Sequence, residues 1–363
     1  MAKSGGLSKR RKASVSNFPF PEGPKTQPKW VGGSDWTGTS VKDPKPIFYL
    51  SGTLSGKGQT EEKFFAATGY KYRCISFAYC SATAPFFDRR HYHALNFCLS
   101  NGHRIFLDSG AHSFHTLIYR KGVVRGKSQV DRLGSVEEQA KQFMSLYADY
   151  VRATRGLFDF YVTFDWRRHC PTIWKATAEL QDMGIRPVPV YHGDHSLTWF
   201  EKYADAGHKI MGLGLNQIGK NSRKDVRFYY DQVFTCANRY NIKLHGFAVT
   251  GPIAFDYPFW SVDSTTWIKA AAYGKIVTTA PSRRRISLVH ISTTEAKSSG
   301  YGTVDGLNKD TYKFLRDLVE KDGFDFEELR RSIPARAIYN AITFKRISES
   351  GQPCRWAPLE RLI

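Results

Sequence analysis

The feature that most constrains the fold is an alternation of eight short apolar runs with longer amphipathic stretches. Each run has the length and β-former content of a buried strand, and each leads into a stretch with helical periodicity. The runs are 47–50, 74–79, 104–107, 158–164, 187–191, 209–215, 244–249 and 259–262. Strands that alternate with helices predict a parallel sheet in an α/β protein, and eight such units favour closure into a (β/α)8 TIM-type barrel.

The chain of 363 residues divides into three predicted regions. Residues 1–45 are rich in Gly, Ser, Pro and Lys without periodicity, which predicts a disordered basic N-terminal arm. Residues 46–290 hold the strand–helix alternation and are expected to form the barrel. Residues 291–363 contain a helical stretch at 309–348, and we expect C-terminal helices that pack on the barrel.

The chain is strongly basic, with a formal net charge of +20. Such an excess predicts attraction to a polyanion, and nucleic acid is the first candidate, although a merely soluble basic protein is the simpler alternative. Two basic clusters are expected near the barrel mouth as candidate phosphate contacts, unless they are only solvated surface. They consist of Arg120 and Lys121, and of Arg283, Arg284 and Arg285.

The six cysteines include no Cys-x-x-Cys pair, and no apolar run approaches the roughly 20 residues needed to cross a bilayer. The first residues lack the apolar core of a signal peptide. The sequence therefore predicts a cytoplasmic protein with reduced thiols and no membrane partner.

Three aspartates follow three of the apolar runs: Asp108, Asp165 and Asp263. The carboxyl ends of barrel strands meet at one mouth, so we expect these carboxylates to converge there as an acid/base and nucleophile set. Each aspartate precedes small or polar residues, and a helix N-cap is the alternative interpretation for each one taken alone.

Polar and small residues also end the fifth and sixth runs. His192 follows the fifth run, where an imidazole can contact a heterocycle edge or transfer a proton, unless it is a buried, hydrogen-bonded histidine. Gly212 and Gly214 lie in the sixth run and would admit a flat ligand close to the backbone. A metal-dependent barrel hydrolase that uses His192, His245 and Asp263 is a rival prediction.

In their order along the chain, these motifs resemble the tRNA-guanine transglycosylase superfamily, and in particular its DNA-modifying branch, the DpdA-type deazapurine-in-DNA proteins. The resemblance covers roughly residues 46–280. It rests on Asp108-Ser109-Gly110-Ala111, Asp165, Tyr191-His192-Gly193, Gly212-Leu213-Gly214, the stretch 245–251 and Val262-Asp263-Ser264. His192 stands where the family usually has glutamine.

The resemblance implies a glycosyltransferase (a pentosyltransferase) that exchanges guanine in DNA for a 7-deazaguanine, with 7-cyano-7-deazaguanine as the expected base. It implies that Asp263 is the nucleophile and Asp108 the proton-transfer residue. The residues implied to contact the base are Ser109, Asp165, His192, Gly212 and Gly214. The implied partners are DNA and the free 7-deazaguanine base, and no cofactor is implied.

One departure from the family pattern concerns zinc. The tRNA enzymes carry three cysteines and one histidine as a zinc site after the nucleophile, whereas only Cys354 follows Asp263 here. We therefore expect no metal and no docking of tRNA in the manner of those enzymes. A transglycosylase that acts on tRNA and a non-catalytic nucleic-acid-binding protein are two further hypotheses that the sequence leaves open.

Overall fold

The computed structural model describes residues 46–53, 61–84, 86–116, 135–167, 169–193, 196–214, 223–249, 253–280, 285–293, 304–350 and 355–356. The predicted arm, residues 1–45, lies outside these ranges. So do Arg120, Lys121, Arg283 and Arg284, and only the backbone of Arg285 is described. The predictions made for those residues stay predictions.

Eight parallel strands form one sheet, as the alternation of the sequence predicts. They are β1 (Ile47–Ser51), β2 (Tyr72–Ser76), β3 (Arg104–Asp108), β4 (Phe160–Tyr161), β5 (Val190–His192), β6 (Ile210–Gly214), β7 (Lys243–Gly246) and β8 (Ser261–Ser264). Their order across the sheet is β4-β3-β2-β1-β8-β7-β6-β5. The first and last of these eight strands thus pair in the middle of the order, and the α/β, TIM-like fold is confirmed.

The two end strands of this order do not form a ladder. Among the described residues, one parallel bridge joins them, between Val162 and Val188. Around it, the amide of Thr163 donates to the Val188 carbonyl at 2.9 Å and the Val188 amide donates to the Tyr161 carbonyl at 2.8 Å. The sheet is therefore curled and TIM-like but does not close into the barrel that the sequence predicts, since a single bridge is the one β-pairing of its end strands within the described residues.

Helices connect the strands and follow the sheet. Before β8 they are α1 (Glu61–Thr68), α2 (Phe77–Cys80), α3 (Arg89–Ser100), α4 (Ala111–Phe114), α5 (Val136–Ala153), α6 (Cys170–Asp182), α7 (Leu197–Asp205), α8 (Arg223–Tyr240) and α9 (Ile253–Asp256). Those after β8 are α10 (Thr266–Ala272), α11 (Lys309–Lys321), α12 (Phe326–Arg331) and α13 (Ile333–Ser350). The second predicted strand, 74–79, is wrong at its end, because its last residues begin α2.

Aromatic rings fill the inside of the sheet. The Phe106 and Phe160 rings stack with centroids 4.8 Å apart, and Tyr49 meets both edge-on. Val162, Val190 and other buried apolar residues complete this cluster. The interior is therefore a packed core, as in other barrels of this kind, and the polar residues lie at the strand ends above it.

A second, three-stranded sheet follows the parallel strands and was not predicted. Strand β9 (Lys275–Ala280) pairs antiparallel with β10 (Arg285–His290), and β11 (Arg355–Trp356) pairs with β10. Ile276 and Val289 of this sheet share a core with residues of α11 and α12. Asn340 of α13 joins the sheet to α10, because it accepts from the Val277 amide and donates to the Trp267 carbonyl.

No helix within the described ranges combines the length and apolarity required to cross a membrane.

A buried ion pair fixes the carboxyl end of β1 from outside the sheet. The Arg73 side chain is fully buried and donates from Nη2 to Glu61 Oε1 at 2.8 Å and to the Gly52 carbonyl at 2.7 Å. Its guanidinium carbon lies 4.9 Å from the Phe64 ring centroid and 5.4 Å from that of Trp267. Arg73 therefore holds the residue that directly follows Ser51 at the mouth.

Replacing Arg73 by methionine should destabilise the protein by about 3 kcal/mol, because it leaves the buried Glu61 carboxylate without its cation. Chemical denaturation with the unfolding followed by circular dichroism measures this change. The double variant Arg73→Met/Glu61→Leu is the matched control and should recover most of the loss, since it buries no unpaired charge. Equal losses in the single and double variants would show that the loss does not come from an unpaired Glu61 carboxylate.

Candidate functional site

The three predicted carboxylates all lie at the carboxyl edge of the parallel sheet. Asp108 ends β3, Asp263 lies in β8, and Asp165 follows β4. None of them is the N-cap of the next helix, because α4, α6 and α10 are capped by Gly110, His169 and Thr265. The N-cap interpretation is therefore wrong for all three aspartates.

Asp263 is surrounded by hydrogen-bond donors. The Ser51 hydroxyl donates to Asp263 Oδ2 at 2.5 Å, and the Ala248 amide donates to Oδ1 at 3.0 Å. His245 Nε2 lies 3.5 Å from the same Oδ1. Ser51 is itself held by Trp267, whose Nε1 donates to the Ser51 carbonyl at 2.8 Å. The carboxylate of Asp263 is thus fixed in orientation by groups from β1, β7 and the turn after β7.

The turn after β7 is strained where it meets Asp263. Ala248 has a φ of 54°, in the left-handed region that residues with a Cβ seldom adopt. Such a conformation costs on the order of 1 kcal/mol and persists where the surrounding structure requires it. Here it aims the Ala248 amide at the Asp263 carboxylate.

Burial raises the pKa of Asp108 from its usual value near 3.8 to about 7. The charges of Asp165 and Asp263 raise it further, while the Ser76 hydroxyl and the hydrogen bond from the Gly110 amide oppose the change. The Gly110 amide donates to Asp108 Oδ2 at 3.0 Å. Asp108 is therefore a carboxyl group that is still partly protonated near neutral pH, and its pKa depends on the charges of both other carboxylates.

Asp165 pairs with His192, as the neighbouring ends of β4 and β5 allow. His192 Nε2 lies 3.0 Å from Asp165 Oδ2, and the imidazole is almost fully buried. A Cβ on Gly214 would lie 2.4 Å from both Cε1 and Nδ1 of His192. The glycine at this position is thus required by the histidine ring that packs against it.

The other predicted base-contacting residues have partners within the protein. A Cβ on Gly212 would lie 2.2 Å from the Phe247 ring. Ser109 is fully buried, and its hydroxyl donates to the Thr163 carbonyl at 3.3 Å. Contact of Gly212, Gly214 or Ser109 with a base stays a prediction. The aromatic side chains of Phe114 and Trp267 are fully buried in the core clusters.

The residues of the rival metal site are divided between two pairs. His192 pairs with Asp165, whereas His245 faces Asp263. Within the described part of the chain, no group of three or more His, Cys, Asp or Glu side chains is close enough to hold a metal ion. The geometry of these residues does not favour the metallohydrolase.

Three groups of the site were missed by sequence reasoning: the Ser51 and Ser76 hydroxyls and the Ala248 amide. His245 was predicted beside Asp263 only as a metal ligand. Ser51 and Ser76 each end a strand, so a polar residue that closes an apolar run could have indicated them. The Ala248 amide has no side-chain signal, and only the backbone shows its role.

No protein-family model matches the chain, and no curated protein matches it at a significant level. The functional argument therefore depends on the residues of the site.

Replacing Asp108 by asparagine should stabilise the protein above pH 7. A carboxyl group whose pKa is raised by folding stabilises the folded state at low pH, and this stabilisation is lost as the pH rises towards 7. We expect the free energy of unfolding of Asp108→Asn to exceed that of the wild type by about 4 kcal/mol at pH 8, and the difference to fall below about 1 kcal/mol near pH 4. Urea denaturation at both pH values measures it.

Asp88 provides a control of the opposite sign. The hydrogen bond from Arg90 lowers the pKa of Asp88 to about 2, and Asp88 also caps α3. Asparagine is an equally good N-cap, so Asp88→Asn should weaken the protein slightly at pH 8 without changing the helix start. A gain in stability at pH 8 in both variants would indicate a general charge effect and not the burial of Asp108.

Replacing Gly214 by alanine should displace the His192 ring, since the new Cβ has no space beside it. We expect a loss of about 1–3 kcal/mol in the free energy of unfolding. The double variant Gly214→Ala/His192→Ala should lose less than the two single changes added together, because the alanine at 192 leaves the space free. Strict additivity would show that the two residues do not pack together.

Proposed function

We propose that this protein is a base-exchanging transglycosylase, a pentosyltransferase that replaces guanine in DNA by a 7-deazaguanine. The observation that carries the proposal is the division of roles among the carboxylates at one mouth. Asp108 has a pKa of about 7, whereas Asp263 is surrounded by donors that suit an anion. One carboxyl that can act as an acid and another that can act as a nucleophile are the pair required for exchange at a glycosidic carbon.

In the first half of the reaction, Asp263 attacks C1′ of the target nucleotide and the C1′–N9 bond breaks. The proton of Asp108 is transferred to the departing guanine, so that the base leaves as a neutral molecule. A covalent glycosyl ester of Asp263 results, with an ionised Asp108 beside it.

In the second half, the free 7-deazaguanine enters and Asp108 removes its N9 proton. The N9 nitrogen attacks C1′ and releases the Asp263 carboxylate. Asp108 is protonated again at the end, so the proton balance is restored within one exchange. The glycosidic bond that breaks is replaced by one of the same kind, and no cofactor is required by this chemistry.

Base recognition is assigned to the pair of Asp165 and His192. His192 occupies one oxygen of the Asp165 carboxylate, which leaves Oδ1 to accept from the N1–H and amino group of a purine. The resemblance to the transglycosylases, with histidine in place of the usual glutamine, supports the same assignment. Gly212 and Gly214, which lie against Phe247 and His192, would then shape the pocket wall.

DNA is the proposed substrate because the chain carries a net charge of +20 and lacks the cysteines of the tRNA enzymes. A base within a duplex must leave the stack to reach the mouth, at a cost of about a few kcal/mol. Contacts of lysine and arginine with phosphates would offset that cost.

The test is the incorporation of radiolabelled guanine and 7-cyano-7-deazaguanine into duplex DNA, single-stranded DNA and bulk tRNA. We expect label in DNA with the wild-type protein and none with Asp263→Asn. Asp108→Asn should retain folding and lose about 10²–10⁴-fold in rate, as expected when a general acid is removed.

Leu213→Ile at the neighbouring strand position serves as a control for handling and folding, because Leu213 is buried behind the mouth. Label in tRNA alone would keep the mechanism and change the substrate. Label in DNA that is undiminished in Asp263→Asn would overturn the assignment of the nucleophile.

A further inference from the structure

We propose that His245 is a positioning residue for Asp263, and that Ser261 fixes the imidazole in the form that carries its proton on Nε2. The inference rests on the proposed function, since it assigns a role towards the nucleophile of that reaction. It starts from a polar side chain that is fully buried inside the parallel sheet.

His245 is enclosed by aromatic rings. The centroids of the Phe106 and Phe247 rings each lie 4.7 Å from its own, and those of Phe160 and Tyr49 lie at 5.5 and 6.3 Å. A histidine in such surroundings is expected to need a polar partner for each nitrogen, because an unpaired buried polar group costs about 1–3 kcal/mol. The surroundings of each ring nitrogen therefore indicate which of the two carries the proton.

One nitrogen is satisfied by the adjacent strand. Nδ1 lies 2.8 Å from the Ser261 hydroxyl, which is also fully buried. The other nitrogen, Nε2, is buried without a hydrogen-bond partner among the described residues, and it lies 3.5 Å from Asp263 Oδ1. The polar edge of the ring is thus directed at the carboxylate from below.

Electrostatics select one tautomer. An unprotonated Nε2 would place a lone pair against the oxygen of a carboxylate, whereas a protonated Nε2 directs an N–H at it. With the proton on Nε2, the free Nδ1 accepts from the Ser261 hydroxyl, so that the hydroxyl proton is also used. The arrangement is a directed chain from Ser261 through His245 to Asp263.

The distance of 3.5 Å is longer than a normal hydrogen bond, so the bond from Nε2 to Asp263 is left to be completed during the reaction. A displacement of Oδ1 by about half an ångström would complete the bond and give Nε2 its partner. Because Ser51 holds Oδ2 and the Ala248 amide holds Oδ1, His245 would then be the third donor and would limit rotation of the carboxylate. Asp263 is thereby kept in the orientation from which it attacks C1′.

Nitrogen NMR of the protein labelled with ¹⁵N-histidine tests the tautomer without any activity. The signals of His245 are assigned by their loss in His245→Gln. We expect a protonated Nε2 and an unprotonated Nδ1, and expect Ser261→Ala to alter the Nδ1 signal. A proton on Nδ1 in the wild type would overturn the proposal, whether or not the protein exchanges bases.

Two substitutions divide the functions of the imidazole. The amide nitrogen of glutamine can occupy the position of Nε2, whereas that of asparagine can occupy only the position of Nδ1. We expect His245→Gln to retain exchange within about tenfold of wild type, and His245→Asn to lose about 100-fold in kcat with little change in KM for the free base, as for a misplaced reacting group.

The stability of both variants is compared by urea denaturation, so that a folding defect is recognised. Equal rates in His245→Asn and wild type would overturn the positioning role. So would an equal loss in both variants at equal stability. If the wild type exchanges no base in any nucleic acid, the proposed function fails, while the NMR result still decides whether Nε2 carries the proton that faces Asp263.

Discussion

The constraint on which the site depends is the common direction of the strands. Parallel strands in a curled sheet deliver every carboxyl-terminal residue to one edge, so Asp108, Asp165 and Asp263 must be accommodated together above an apolar core. The pKa of Asp108 is raised to about 7, Asp165 faces an imidazole, and Asp263 accepts hydrogen bonds from β1 and from the turn after β7. One residue type thus acquires three chemical environments.

The fixed arrangement of the carboxylates at the mouth requires a rigid core beneath them. Tyr49, Phe106 and Phe160 fill the interior ring against ring, and at the opposite end the Tyr49 hydroxyl and Arg104 both donate to Asp159. Because this aromatic core is rigid, the positions of residues at the carboxyl edge of the sheet are determined by the side chains that contact them directly. Gly214 shows how little space is left at this edge, since one added carbon would collide with His192, which orients Asp165.

The eight strands and the three aspartates could be predicted from the sequence. Burial on both faces produces apolar runs, and the parallel direction of the strands places the residues that follow these runs at one edge. The helical turn at Phe77–Cys80 could not, since a continuous apolar run has no periodicity that separates strand from helix. The donors to Asp263 were also beyond reach. Ser51 is separated from Asp263 by 212 positions, and only the register of β1 against β8 brings them together. The hairpin of β9 and β10 was missed because its strands follow the eight that were sufficient for a barrel.

Several unfavourable features are concentrated at this one edge of the molecule. Ala248 adopts a left-handed backbone, burial and two other carboxylates raise the pKa of Asp108, and the buried Nε2 of His245 has no hydrogen-bond partner within the described ranges. A fold under selection for stability alone would replace each of them, for instance by glycine, asparagine or an apolar ring. All of these features bear on the same carboxylates, so a single requirement accounts for them: one carboxyl that can release a proton, opposite another that cannot turn away. An acid and nucleophile pair of the kind proposed above would impose this requirement, whichever nucleic acid were the substrate.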